Sequence, residues 1–155
     1  MDTKEKINKK TCTFFASDYH FEMISLPYIN KKIENREDVV ILTENNLEET
    51  VKILVEKTNL KEENRNKILE IDWKNDDLNK FKKIKNNVKN NKKTVVFVKG
   101  KENYIKNINR NIEKWNLDNK INIIDCYDIE EIGDKMKTII DKYECILNTK
   151  GEKEI

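Results

Sequence analysis

Disulfide, metal and phosphate chemistry find little to work with in this chain. Its three cysteines, Cys12, Cys126 and Cys145, are odd in number and irregularly spaced, and His20 is its only histidine. Neither a disulfide framework nor a Cys/His zinc site is built from such a set. No metal and no cofactor is expected. Glycine occurs three times, proline once at Pro27, and alanine once at Ala16. No apolar run approaches the ~20 residues that a membrane-spanning helix needs. The basic start, MDTKEKINKK, leads into no apolar signal core. The net charge is only +2, so the chain as a whole is not drawn to nucleic acid or to an anionic membrane. These absences predict a cytoplasmic protein with reduced thiols.

What is present is charge and clustered apolar sequence. Charged residues make up 39 % of the 155 and hydrophobic ones 37 %, and the apolar residues fall in runs, as folding into a core requires. Residues 1–10 read as a charged tail and 11–155 as a single domain. Thr11 to Ala16 predicts a strand, followed by a polar turn over 17–20 and a helix to about Ile33 carrying Ile24, Tyr28, Ile29 and Ile33. Pro27 either bends that helix or begins a second one capped by Ser25. Asp38–Thr43 is a continuous apolar run, as in a strand covered on both faces. A helix then starts at a capping-box-like Asn46-Leu-Glu-Glu49, with Leu47, Val51, Leu54 and Val55 on one stripe. Residues 59–67 read as a short helix or loop.

Ile68–Asp72 predicts a third strand, and 76–90 a helix with Leu78, Phe81, Ile84 and Val88 inward. Thr94–Val98 is the fourth strand. Residues 101–116 form a helix with Tyr104, Ile108, Ile112 and Trp115 inward. Ile121–Cys126 is the fifth strand, 133–142 is mostly helix, and Cys145–Leu147 is a short sixth strand. Strand and helix alternate about five times. That pattern predicts an α/β fold of three layers: a mainly parallel sheet of five to six strands with helices on both faces.

In such sheets ligands bind beyond the carboxyl ends of the strands. That rim predicts a candidate ligand site of Ser17, Asp18, Tyr19, His20, Thr43, Glu44, Asp72, Trp73, Lys99, Cys126, Tyr127 and Asp128. Strand, turn and helix is also the layout of a phosphate-binding loop. Such a loop needs glycines, whose backbone N–H groups wrap the phosphates, a lysine for the terminal phosphates, and a hydroxyl on Mg²⁺. Ala16-Ser-Asp-Tyr-His-Phe-Glu22 has no glycine and no lysine, and Asp18 and Glu22 would repel phosphate. The strand at 94–98, where a metal-orienting aspartate would be expected, ends in Lys99. ATP hydrolysis by the usual route is not expected.

These segments, in this order, resemble the MEDS family, the methanogen/methylotroph sensory domain. The resemblance rests on Cys12-Thr-Phe-Phe15, on Leu26-Pro-Tyr-Ile29 followed by Asp38-Val-Val-Ile-Leu-Thr43, and on Leu69-Glu-Ile-Asp-Trp73. Cys126-Tyr-Asp128 is similar to the family's Cys-x-Tyr-Asp signature, one residue shorter. The resemblance implies a RecA/KaiC-like fold that lacks the Walker motifs. It also implies a non-catalytic sensory or regulatory role in which a small ligand is bound and a separate partner signals, such as a histidine kinase or a transcription regulator.

Two alternatives stand beside it. Lys80, Lys82, Lys83, Lys85 and Lys89 crowd one helix and would serve a nucleic-acid-binding accessory protein. With no aromatic interleaved on the polar side, a solvated face is the competing reading. A degenerate nucleotide binder without hydrolysis is the other alternative. His20 beside Asp18 has no placed nucleophile. Cys126 sits among acidic neighbours, which do not lower a thiol's pKa. Trp73 reads equally as pocket wall or core.

Overall fold

The computed structural model describes residues 10–115, 117 and 120–155. All but the last residue of the tail and position 116 of the fourth expected helix lie outside them. The elements are β1 (Thr11–Phe15), α1 (Asp18–Glu34), β2 (Asp38–Thr43), α2 (Glu48–Glu56), α3 (Glu62–Glu70), α4 (Asp77–Lys89), β3 (Thr94–Gly100), α5 (Glu102–Lys114), β4 (Asn122–Asp128), α6 (Ile129–Ile132), a 3-10 turn at Gly133–Lys135, α7 (Met136–Ile140), β5 (Cys145–Asn148) and β6 (Gly151–Glu154). The six strands form one sheet in the order β2-β3-β4-β1-β5-β6. The first five are parallel and β6 is antiparallel to β5.

The runs of unbroken apolar sequence are explained by what covers them. On one face, α1, α2 and α3 pack Phe21, Ile24, Ile29, Leu47, Val51, Val55 and Ile68 onto Phe15, Val39, Ile41, Phe97 and Ile124. On the other face, α4, α5 and α7 pack Ile84, Ile105, Ile108, Ile112 and Ile139 onto Phe14, Val40, Leu42, Val96 and Val98. Alternate residues of each strand thus enter two separate cores, and the domain has three layers. This is a three-layer α/β fold consistent with the RecA-like class.

The expected third strand is not a strand. Ile68, Leu69 and Glu70 close helix α3, and Ile71 leads out of it. The buried positions of this segment are Asn64 and Ile68, one helical turn apart, while Leu69 is largely exposed. The apolar cluster is therefore the inward edge of a helix, and period two never applied. A sixth strand exists instead at the end of the chain. Asn148 Oδ1 accepts the Lys150 N–H, and Gly151 takes a φ of 111° that favours glycine, so the chain reverses after two residues. Asn-x-x-Gly was its sequence signal.

Pro27 lies inside a single continuous α1. The helix tolerates it because residues 23 and 27 both face solvent, so that the Met23 carbonyl that loses its partner is open to water. In α2, Asn46 Oδ1 accepts the Glu48 N–H at 2.8 Å, an Asx-type entry in place of the expected capping box. In α4, Leu78 is 76 % exposed and Lys80 is 3 % exposed, which inverts the expected stripe at its start.

Candidate functional site

Following β1, the chain crosses to β2 on the α1 face. Following β4, it crosses to β5 on the α7 face. The two connections leave adjacent parallel strands in opposite directions, so the topological switch point lies between the carboxyl ends of β1 and β4, where α/β sheets bind ligands.

The rim around this point is tied together by the chain's own charges. Lys99, at the end of β3, is 3 % exposed. Its Nζ lies 2.8 Å from Asp18 Oδ1 and donates to Asn45 Oδ1 at 2.9 Å. Asn45 Nδ2 in turn donates to Asp18 Oδ2 at 2.8 Å, and Thr43 Oγ1 donates to the Asn45 carbonyl at 2.9 Å. The Lys99 ammonium also stands 4.7 Å from the centre of the Phe15 ring and 5.5 Å from that of Phe21. The ends of β2 and β3 and the first turn of α1 thus meet in one hydrogen-bonded triad of Asp18, Asn45 and Lys99, with the Phe15 ring of β1 beside the ammonium. Asn45 is the member that sequence reading passed over; its signal was its place directly after Thr43-Glu44.

Ser17 and His20 are committed to the entry of α1. Ser17 Oγ accepts the His20 N–H, and His20 Nδ1 accepts the Ala16 N–H at 2.8 Å, which leaves the neutral ring's proton on Nε2. Tyr19 is exposed. Glu44 Oε1 accepts the Lys101 N–H at 2.6 Å and packs against Gly100, where a Cβ would come within 2.5 Å of that oxygen.

Below the triad on α1, Glu22 is fully buried. Its Oε2 accepts from Thr50 Oγ1, while Oε1 has no hydrogen-bond partner among the described residues. Burial raises its carboxyl above the usual range, with the Asp18 charge adding to this and Thr50 and Lys99 opposing it.

Other expected rim residues lie elsewhere. Asp72 and Trp73 follow a helix rather than a strand. Trp73 is core: it is 2 % exposed, its indole N–H donates to the Ile68 carbonyl at 2.9 Å, and its own carbonyl accepts the Leu47 N–H. Asp72 Oδ1 accepts the Lys74 N–H in a local turn. Cys126 and Tyr127 are internal to β4 and face opposite cores, so of the three residues expected after the fifth strand only Asp128 reaches the rim. There it caps α6 by accepting the Glu130 N–H. Burial pushes the Cys126 thiol well above its ordinary value, and the neighbouring Asp125 adds to this.

The lysine face of α4 is also smaller than its sequence suggests. Lys80 is buried with Nζ donating to the Lys74 carbonyl, and burial lowers its pKa against the pull of Asp72, Asp77 and Asp76. Lys83 lies 3.6 Å from Asp38, and the Lys85 ammonium sits 3.7 Å from the centre of the Trp115 ring. Lys82 and Lys89 are exposed.

Among the described residues no cluster of His, Cys, Asp and Glu could hold a metal ion, and no helix is long and apolar enough to cross a membrane. The class that fold and site define is a three-layer α/β domain whose strand-end rim carries an ion pair between the buried Lys99 and the half-exposed Asp18. No family model, no curated protein and no solved structure matches the chain.

Proposed function

We propose that this chain is a non-catalytic sensory or regulatory domain of the MEDS kind, which binds a small ligand at the crevice between β1 and β4 and signals through a separate partner protein. The observation that carries the reading is the Asp18–Lys99 pair. A phosphate-transferring site would need glycine amides at the start of α1 and a carboxylate at the end of β3. Here the carboxylate stands at the helix start and the cation at the strand end, so charges are reversed relative to that chemistry. We read this pair, buried at Lys99 and half-exposed at Asp18, as a two-state element instead. A ligand with its own anionic group displaces Asp18 from Lys99 and frees the start of α1, which joins the triad to the helix face.

The partner expected is a histidine kinase or a transcription regulator. The test is capture of the tagged chain from its host's lysate at low and high salt, with nuclease, comparing wild type with Lys99→Met. Retained proteins and released small molecules are both identified. A kinase or regulator held at high salt by wild type and lost in the variant is the expected result. ATP turnover abolished by changing Asp18 or Glu44 would overturn the reading. Only salt-labile, nuclease-sensitive material would favour the α4 lysines instead.

A further inference from the structure

The strand β4 reads NIIDCYD, and its mid-strand Asp125 is out of place in a buried run. It is 5 % exposed, and burial lifts its carboxyl to about 6 against the opposing bonds of Tyr143 and Asn109. Burying a carboxylate is costly, and the cost is tolerated where a partner or a function requires it. Oδ1 accepts from Asn109 Nδ2 at 3.0 Å and Oδ2 from the Tyr143 hydroxyl at 2.6 Å. The Tyr143 hydroxyl is also 2.6 Å from that of Tyr127. This network lies on the α5–α7 side of the sheet, away from α1 and its triad.

A cavity of about 140 Å³ opens beside it, between α5 and the exit of α7. Its floor and walls are Asp125, Tyr127, Tyr143 and Asn109, with Ile105 and Ile139 as apolar sides. Around it stand the exposed Lys10, Lys106 and Lys142, together with Glu102 and Glu113. Lys106 lies 3.7 Å from Glu102, so part of this outer charge is already balanced. A cavity of about 150 Å³ holds a ligand the size of benzene, about six heavy atoms.

We infer that this cavity is a binding site for a small zwitterionic amino acid of about five or six heavy atoms. Its ammonium is received by Asp125 between the faces and hydroxyls of Tyr127 and Tyr143, and its carboxylate by the lysines at the mouth. Three features require this class. The floor offers a buried anion and aromatic rings, which suit an ammonium. The outer lysines suit a carboxylate a few bonds away. The volume of about 140 Å³ matches a ligand of this size. A simple amine would leave the lysines unanswered, and a simple acid would face Asp125.

The experiment is calorimetric titration of the full chain with glycine and with β-alanine, set beside acetate and ethylamine. Expected is saturable binding of glycine or β-alanine, at least tenfold tighter than either control. Asp125→Asn should abolish it with the far-ultraviolet circular dichroism unchanged. Lys142→Glu, an exposed change that the fold tolerates, should weaken it at least tenfold. Lys99→Met should leave it intact, which separates this site from the rim. Absence of binding by either amino acid, equal binding of acetate or ethylamine, or binding indifferent to Lys142→Glu would overturn the inference. If Asp125→Asn unfolds, the Lys142 variant and the two control ligands decide it.

Discussion

Lys99 and Asp18 make an unequal pair, because the lysine side chain is 4 % exposed and the aspartate 40 %. Removing the aspartate strands a buried cation, whereas removing the lysine leaves a carboxylate that can turn to water. Breaking a buried pair from one side costs about 3–5 kcal/mol, and half-exposed partners cost less. Asp18→Asn should therefore destabilise by roughly 2 kcal/mol more than Lys99→Met, read as denaturation midpoints in urea. Equal losses would mean that the ammonium is hydrated. Asp125 supports a second test at this scale. Its folded carboxyl titrates at about 6 against an ordinary 3.8, so between these values the folded state holds the extra proton and stability falls as pH rises. The groups facing it are Tyr127 and Cys12 on the sheet, Asn109, Lys106, Glu102 and Glu113 on α5, Tyr143 and Lys142 after α7, and Lys10. Relative to Asp125→Asn, wild type should lose roughly 2 kcal/mol between pH 4 and 7 and stay nearly level above that. A difference between the two proteins that does not move with pH would refute the assignment.

At the scale of elements, two substitutions probe how helices and strands tolerate their neighbours. Pro27 forgoes a hydrogen bond inside α1, and its ring crowds the Met23 carbonyl. Pro27→Ala should stabilise by about 1–3 kcal/mol, less the roughly 0.4–1 kcal/mol that proline saves in the unfolded chain. For a chain of this size that is a rise of about 2–4 °C per kcal/mol in the thermal midpoint. An unchanged or lower midpoint would show that the proline does not strain the helix. Gly100 ends β3 where Glu44 folds over it; a Cβ would come within 2.5 Å of Glu44 Oε1 and 2.7 Å of a Tyr104 ring carbon. Tyr104 is itself held by its hydroxyl bond to Asp77 Oδ1 at 3.0 Å. Gly100→Ala should cost about 1–3 kcal/mol in equilibrium unfolding by displacing Glu44 from the Lys101 N–H. The strands were legible from sequence wherever both faces are covered, since β2 and β3 are continuous apolar runs. Ile68–Asp72 is ambiguous in sequence because five residues with three apolar members suit either period, and only α1 packed against α3 selects the helix.

For the molecule as a whole, the three thiols report on opening. Cys12, Cys126 and Cys145 are all buried, and none is in a disulfide. Burial, helped by the charge of Asp125, pushes Cys12 up to about 12. A disulfide-exchange reagent at pH 8 should label none of them in the native protein within minutes and all three in denaturant. Rapid native labelling of one thiol would reveal a low-energy opening of the strand that carries it. Such an opening near β1 or β4 would bear directly on how a ligand reaches either site.

The sequence by itself determined the layering: apolar runs of strand length between amphipathic helices have only one economical burial, a sheet covered on both faces. It also determined what the start of α1 lacks, since glycine amides cannot be supplied by residues that are not there. The tertiary structure alone decided which charges meet. Asp18, Asn45 and Lys99 are brought together by a parallel sheet whose order differs from chain order. The same strand order, with α5 and α7 on one face, assembles Asp125, Asn109 and Tyr143 from separate elements. Such constellations depend on which strands are neighbours, and local periodicity carries no information about that. Trp73 and Lys80, polar-tipped and near a turn, entered the interior because the backbone carbonyls of Ile68 and Lys74 were placed to receive their N–H groups.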